Sequence, residues 1–104
     1  MLIAVPSDAP GGLEANISEH FGRCDVFTLV AVEDQEVGEV TLIENGGHEE
    51  GGCLAPVTLL KEKGAAAMIT GGMGRRPLAG FEEAGIVVHH KGEATTVGQA
   101  IEAF

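Results

Sequence analysis

Basic residues are scarce in this chain. Six Lys and Arg stand against sixteen Asp and Glu, for a formal net charge of -10 over 104 residues. Nucleic-acid affinity rests largely on neutralising phosphates with Lys and Arg, so this balance excludes a general DNA or RNA binder, and it also disfavours an anionic membrane surface. Acidity by itself keeps a small protein soluble and says nothing of its fold. No apolar run approaches the ~20 residues of a membrane helix. Met1 to Val5 is too short for the apolar core of a signal peptide and has no basic stretch before it, so a cytoplasmic location is expected. The chain has only two cysteines, which in a cytosolic protein read as thiols rather than a disulfide. It has no paired CxxC motif, no GxGxxG fingerprint, no Walker loop and no recognisable Ser/His/Asp order.

Glycine is plentiful. Sixteen glycines imply many tight turns, or places where backbone comes close to a ligand. The hydrophobic fraction of 44% and mean hydropathy of +0.17 are those of a globular chain. At this length one domain spanning residues 1–104 is expected.

Apolar runs and breakers predict the elements. Leu2 to Val5 reads as a buried strand ended by Pro6, followed by a long loop to Ser18 that contains Pro10-Gly11-Gly12. Val26 to Val32 and Val37 to Glu44 read as a hairpin across a polar turn at residues 33–36. After a glycine-rich loop at residues 45–52, Leu54, Val57 and Leu60 fall at helical spacing, and Gly64 closes that helix. Ala65 to Thr70 is a strand. Pro77 sits in the first turn of a second helix, which Gly85 ends. Ile86 to Val88 is the last strand. Thr96 and Gln99 form a capping box for a final helix presenting Val97, Ala100, Ile101 and Phe104. The order β-β-β-α-β-α-β-α predicts an α/β fold with a mixed sheet of five strands and about three helices.

Four groups of residues carry chemistry. His20 and Cys24 flank Phe21, Gly22 and Arg23, and imidazole and thiolate both suit iron, copper or zinc. The competing reading makes Cys24 a small buried hydrophobe and His20 a satisfied loop residue. His48 and Cys53 form a second candidate metal pair, with Cys53 near a helix N-terminus that favours its thiolate; the plain alternative is a loop followed by a core cysteine. Gly71-Gly72-Met73-Gly74-Arg75-Arg76 lies between a strand and a helix, where close backbone approach and two arginines suit an anion; it reads equally as a tight turn with solvated arginines. His89 and His90 follow a strand and read as solvated, since neighbouring side chains there point apart. Asp8 lacks the partner carboxylates that a nuclease site needs. Glu49-Glu50 and Glu82-Glu83 read as solvated surface.

Ser18-x-His20-Phe21-Gly22-Arg23-Cys24-x-x-Phe27, with Gly71-Gly72-Met73-Gly74-x-x-Pro77 and Gly85-Ile86-x-Val88, resembles the dinitrogenase iron–molybdenum cofactor biosynthesis family. That family takes in NifX-type carriers, the C-terminal region of NifB and many small stand-alone proteins. The resemblance covers nearly the whole chain. It implies a ribonuclease H-like fold and a non-enzymatic carrier or scaffold. The implied cargo is an iron–sulfur or molybdenum-containing cluster or its precursor, handled in metallocluster biosynthesis of the kind nitrogen fixation uses. His20 and Cys24 match the family's motif positions; His48 and Cys53 come from ligand chemistry alone. The implied partners are the cluster itself, cluster-assembly or nitrogenase-related proteins, and Mrp/MinD-type ATPases. The alternative is a regulatory or interaction module binding an anionic small molecule at the Gly71–Arg76 loop without metal. A ribonuclease H-like nuclease is the remaining option.

Overall fold

A computed structural model describes residues 1–18, 24–34, 36–44, 60–71 and 75–103. The strands are β1 (Leu2–Ser7), β2 (Val26–Glu33), β3 (Glu36–Glu44), β4 (Ala67–Thr70) and β5 (Val87–His90). Three helices alternate with the later strands. Residues 60–62 are the described part of α1, followed by α2 (Arg75–Glu83) and α3 (Val97–Ala103). The five strands form one sheet in the order β3-β2-β1-β4-β5. β1 runs antiparallel to β2 and parallel to β4; β2 and β3 are antiparallel, and β4 and β5 parallel. The expected mixed sheet is therefore present, with the hairpin on one side of β1 and the βαβ half on the other.

The inner strands are apolar on both faces because helices cover both. On one face Ala4, Phe27, Leu29 and Met68 pack with Leu60 of α1 and Phe81 of α2. On the other, Ile3, Val5, Val30 and Ile69 pack with Val97, Ala100 and Ile101 of α3. Among the described residues Phe27 and Phe81 are the largest side chains fully removed from water. Burying a ring of that size contributes about 1.5–3 kcal/mol relative to leaving it exposed.

Several boundaries differ from the sequence expectation. β1 continues through Pro6 to Ser7. The carbonyl of Pro6 accepts from Ser18 N at 2.9 Å, so residue 6 turns its backbone edge away from β2, and the missing proline N–H costs that ladder nothing. β4 begins at Ala67 rather than Ala65 because Ala65 N is used to close α1. It donates to Leu60 O at 3.1 Å while Gly64 N donates to Lys61 O at 3.0 Å. The same closure ends α2, with Ile86 N to Phe81 O at 2.9 Å and Gly85 N to Glu82 O at 3.1 Å. Both are Schellman motifs, and they need the left-handed backbone of Gly64 (φ 87°) and Gly85 (φ 82°). With Ile86 so engaged, β5 starts at Val87 and takes in His89 and His90, which were expected to follow the strand.

The capping box of α3 is present. Gln99 N donates to Thr96 Oγ1 at 3.3 Å, and Gln99 Oε1 accepts from Thr95 N at 2.8 Å and Thr96 N at 3.4 Å. Of the first helix predicted over residues 53–63, residues 53–59 lie outside the described residues, as does Phe104. Among the described residues no helix is long and apolar enough to cross a membrane.

Candidate functional site

The topology sorts the loops by end. β1, β4 and β5 finish at one end of the sheet, where β2 starts and β3 finishes: Ser7 pairs with Val26, Val26 with Glu44, and Thr70 with His90. Every segment predicted to carry chemistry attaches to this carboxyl end. Residues 18–24 lead into β2, residues 45–53 leave β3, and Gly71 to Arg76 join β4 to α2. In an open α/β sheet this is where ligands sit.

The wall of this end built by residues 8–18 is tied down throughout. Gly12 N donates to Thr28 Oγ1 at 3.1 Å; Thr28 Oγ1 and Ser7 Oγ are 2.8 Å apart; Ser7 Oγ donates to Val5 O at 2.7 Å. Since the Ser7 proton is committed to Val5, the Thr28 hydroxyl donates to Ser7, and the relay has one direction. Ser7 and Thr28 are fully buried, which makes each of these bonds costly to lose. Asp25 Oδ2 accepts from Ala9 N at 3.0 Å, linking this wall to the start of β2. The first turn of α3 adds two more ties, Val97 N to Ala15 O at 3.0 Å and Gly98 N to Leu13 O at 2.7 Å. Those helix-terminal donors are thus already used.

Gly11 packs hardest against the sheet. A Cβ there would lie 2.7 Å from Val26 Cγ2 and 2.9 Å from Leu42 Cδ2, and its φ is 84°. Only glycine fits both the space and the backbone.

Cys24 sits at the root of the site with 1% of its surface exposed, in the cluster of Phe27, Leu60, Met68 and Phe81. It is a thiol, not half of a disulfide. Its placement in this structure is that of a small hydrophobe, the competing reading of its sequence context. Gly71 is half-buried directly after β4, and Arg75 begins α2, with Arg76 next. His20, Phe21, Gly22, Arg23, His48, Cys53, Gly72, Met73 and Gly74 lie outside the described residues. Among the described residues no three His, Cys, Asp or Glu side chains gather as a metal site would require.

Two features of this end escaped the sequence reading. The Ser7–Thr28 pair could have been found as two hydroxyls inside otherwise apolar strands. His90 is exposed, as its sequence context suggests, but its place at the end of β5, level with Thr70 at the carboxyl end, carries no local signal. Its Nδ1 accepts from Gly92 N at 3.0 Å, which fixes the ring against the turn that follows β5.

Comparison with known proteins gives consistent matches. A family model described as dinitrogenase iron-molybdenum cofactor matches residues 1–104. An uncharacterized protein of Methanocaldococcus jannaschii is 32% identical over 108 residues, covering 100% of this chain and 85% of that protein. The apo orange protein of Desulfovibrio gigas superposes with a TM-score of 0.85 at 28% identity, covering 99% of this chain and 85% of that one. A putative NifB protein from Thermotoga superposes at 0.76 with 31% identity, over 99% of this chain and 85% of that one.

Proposed function

Because this chain belongs to the dinitrogenase iron–molybdenum cofactor family, we propose that it carries an iron–sulfur or molybdenum-containing metal–sulfur cluster, or a precursor of one, at the carboxyl end of its sheet. The cluster is cargo that the protein holds and passes on; the protein is not an enzyme. The observation that carries this reading is that the start of β2 and the ends of β3 and β4, to which residues 18–24, 45–53 and 71–76 attach, share one sheet end, beside a wall fixed by hydrogen bonds to buried hydroxyls.

An anionic cluster needs soft ligands and charge-stabilising donors. His20 and Cys24, joined by His48 and Cys53, are the proposed metal ligands. Phe21, Gly22 and Arg23, between the two proposed ligands, are assigned to the same site by the motif they share with His20 and Cys24. Gly71, Gly72, Met73 and Gly74 offer backbone N–H groups, and Arg75 and Arg76 offer positive charge. Ligation by Cys24 requires its thiol to leave the apolar cluster in which it is 1% exposed, so loading is coupled to a rearrangement at the start of β2. The strand order 3-2-1-4-5 supports treating residues 1–104 as one ribonuclease H-like domain. Cluster-assembly or nitrogenase-related proteins are the fitting donors and acceptors in the cytoplasm. The comparisons lend the Mrp/MinD-type partner no support.

The test is anaerobic reconstitution with ferrous iron, sulfide and molybdate, read by metal analysis and visible absorption. Wild type takes up metal and sulfide in a fixed ratio; His20→Ala and Arg75→Ala/Arg76→Ala lose most of it. Equal loading of wild type and both variants, or none in wild type, overturns the reading.

A further inference from the structure

The sheet has two edges, and they differ in charge. The β3 edge carries Glu36 and Glu39, acidic residues of the kind that blunt an edge against pairing. From Ile86 to Gly92 the β5 edge has no acidic residue in a chain of net charge -10, and it ends in His89, His90 and Lys91. β5 is also open: Val87 is 56% exposed, and both histidines are exposed.

The backbone of β5 alternates. Val87 N donates to Ala66 O at 3.2 Å and Lys91 N to Thr70 O at 2.9 Å, so residues 87, 89 and 91 face β4. Val88 and His90 therefore turn their N–H and C=O groups outward, and no described residue bonds to them there. A groove lies on each side of this strand. On the α3 side, a groove of 290 Å³ is lined by Ile69, Ala100, His89 and Lys91. On the α2 side, a groove of 380 Å³ is lined by Leu78, Ile86 and Val88, with Glu82 also lining it.

We propose that β5 accepts an extended segment of a partner protein as a sixth strand, one whose residues alternate between acidic and apolar. An added strand sends successive side chains to opposite faces. One set meets the ammonium of Lys91 and the imidazole of His89, where carboxylates are favoured. The other set meets Leu78, Ile86 and Val88 beside Glu82, where apolar side chains are favoured and carboxylates are repelled. Lys91 Nζ donates to Ala94 O at 3.0 Å, which holds the cation in place beside the groove. A second copy of this chain is a poorer occupant, because β5 against β5 would set Lys91 and the histidines of both copies together across four residues.

The test uses the whole protein and the peptide acetyl-Val-Glu-Val-Glu-Val-Glu-amide, followed by backbone amide NMR. Binding shifts the signals of residues 86–91 and slows exchange at Val88 and His90. N-methylating the peptide residues of one parity abolishes binding, and methylating the other parity leaves it. His89→Glu/Lys91→Gln, in which Gln keeps a donor for the Ala94 carbonyl, weakens binding about tenfold, as loss of the exposed Lys91 charge and a new carboxylate facing the peptide's carboxylates predict. Equal binding of a Val-Lys peptide, equal effects of the two methylations, no binding, or protection of Val88 and His90 by protein concentration alone each overturns the proposal.

Discussion

At one end of the sheet the chain reverses in as few residues as it can. Asp34, at φ 51°, turns β2 into β3, and Gly64 and Gly85 end α1 and α2 so that β4 and β5 begin within three residues. A Cβ at Gly64 or Gly85 would meet nothing within 4 Å. At the carboxyl end the chain leaves the sheet after β1 for a described segment, residues 8–18, that is crowded and cross-tied. The far end needs glycine only for backbone conformation. The carboxyl end needs it for space as well. Stability invested in a loop without contributing to the sheet's own closure marks the end where the shape of the surface matters.

Gly11→Ala should give the largest separation between the two ends. The added methyl collides with Val26 and Leu42 and strains the backbone, for an expected loss of about 3 kcal/mol in urea unfolding. Thr28→Val follows, at about 2 kcal/mol, because it strips Gly12 N of its acceptor and Ser7 of its donor. Gly85→Ala, with strain but no collision, should cost about 1 kcal/mol. Gln99→Ala removes one half of the α3 capping box and should cost about 0.5–1 kcal/mol in the same assay. If Gly11→Ala proves no worse than Gly85→Ala, the two ends are equivalent and the comparison fails. Metal uptake sharpens it further: Gly11→Ala and Thr28→Val should lower cluster loading at temperatures where both remain folded, whereas Gly85→Ala should leave it unchanged.

Much of this architecture was legible in the residues. Continuous apolar runs marked β1 and β2, and Gly64 and Gly85 marked the helix ends, because burial and left-handed backbone leave strong local signatures. His89 and His90 gave no such signal; parallel pairing with Ile69 and Thr70, a tertiary fact, makes them strand. Ala65 looked like strand by composition and was claimed by the helix closure instead. The end of the sheet that holds the candidate site followed from strand order. Whether Cys24 packs or ligates did not, since one thiol is both a small hydrophobe and a soft ligand, and only burial among Phe27, Leu60 and Met68 distinguishes the state seen in this structure.

The hydroxyl relay from Gly12 through Thr28 and Ser7 to Val5 gives the 8–18 segment a thermodynamic status that loops rarely have. Its anchoring acceptors include the Thr28 hydroxyl of β2 and the Pro6 carbonyl of β1, so the segment cannot detach without uncovering the buried hydroxyl pair of Thr28 and Ser7. In hydrogen–deuterium exchange the Gly12 and Ser18 amides should behave as part of the same cooperative unit as the strands, exchanging only when the sheet opens. This part of the surface therefore acts as a mould of fixed shape, against which the proposed cargo would have to fit.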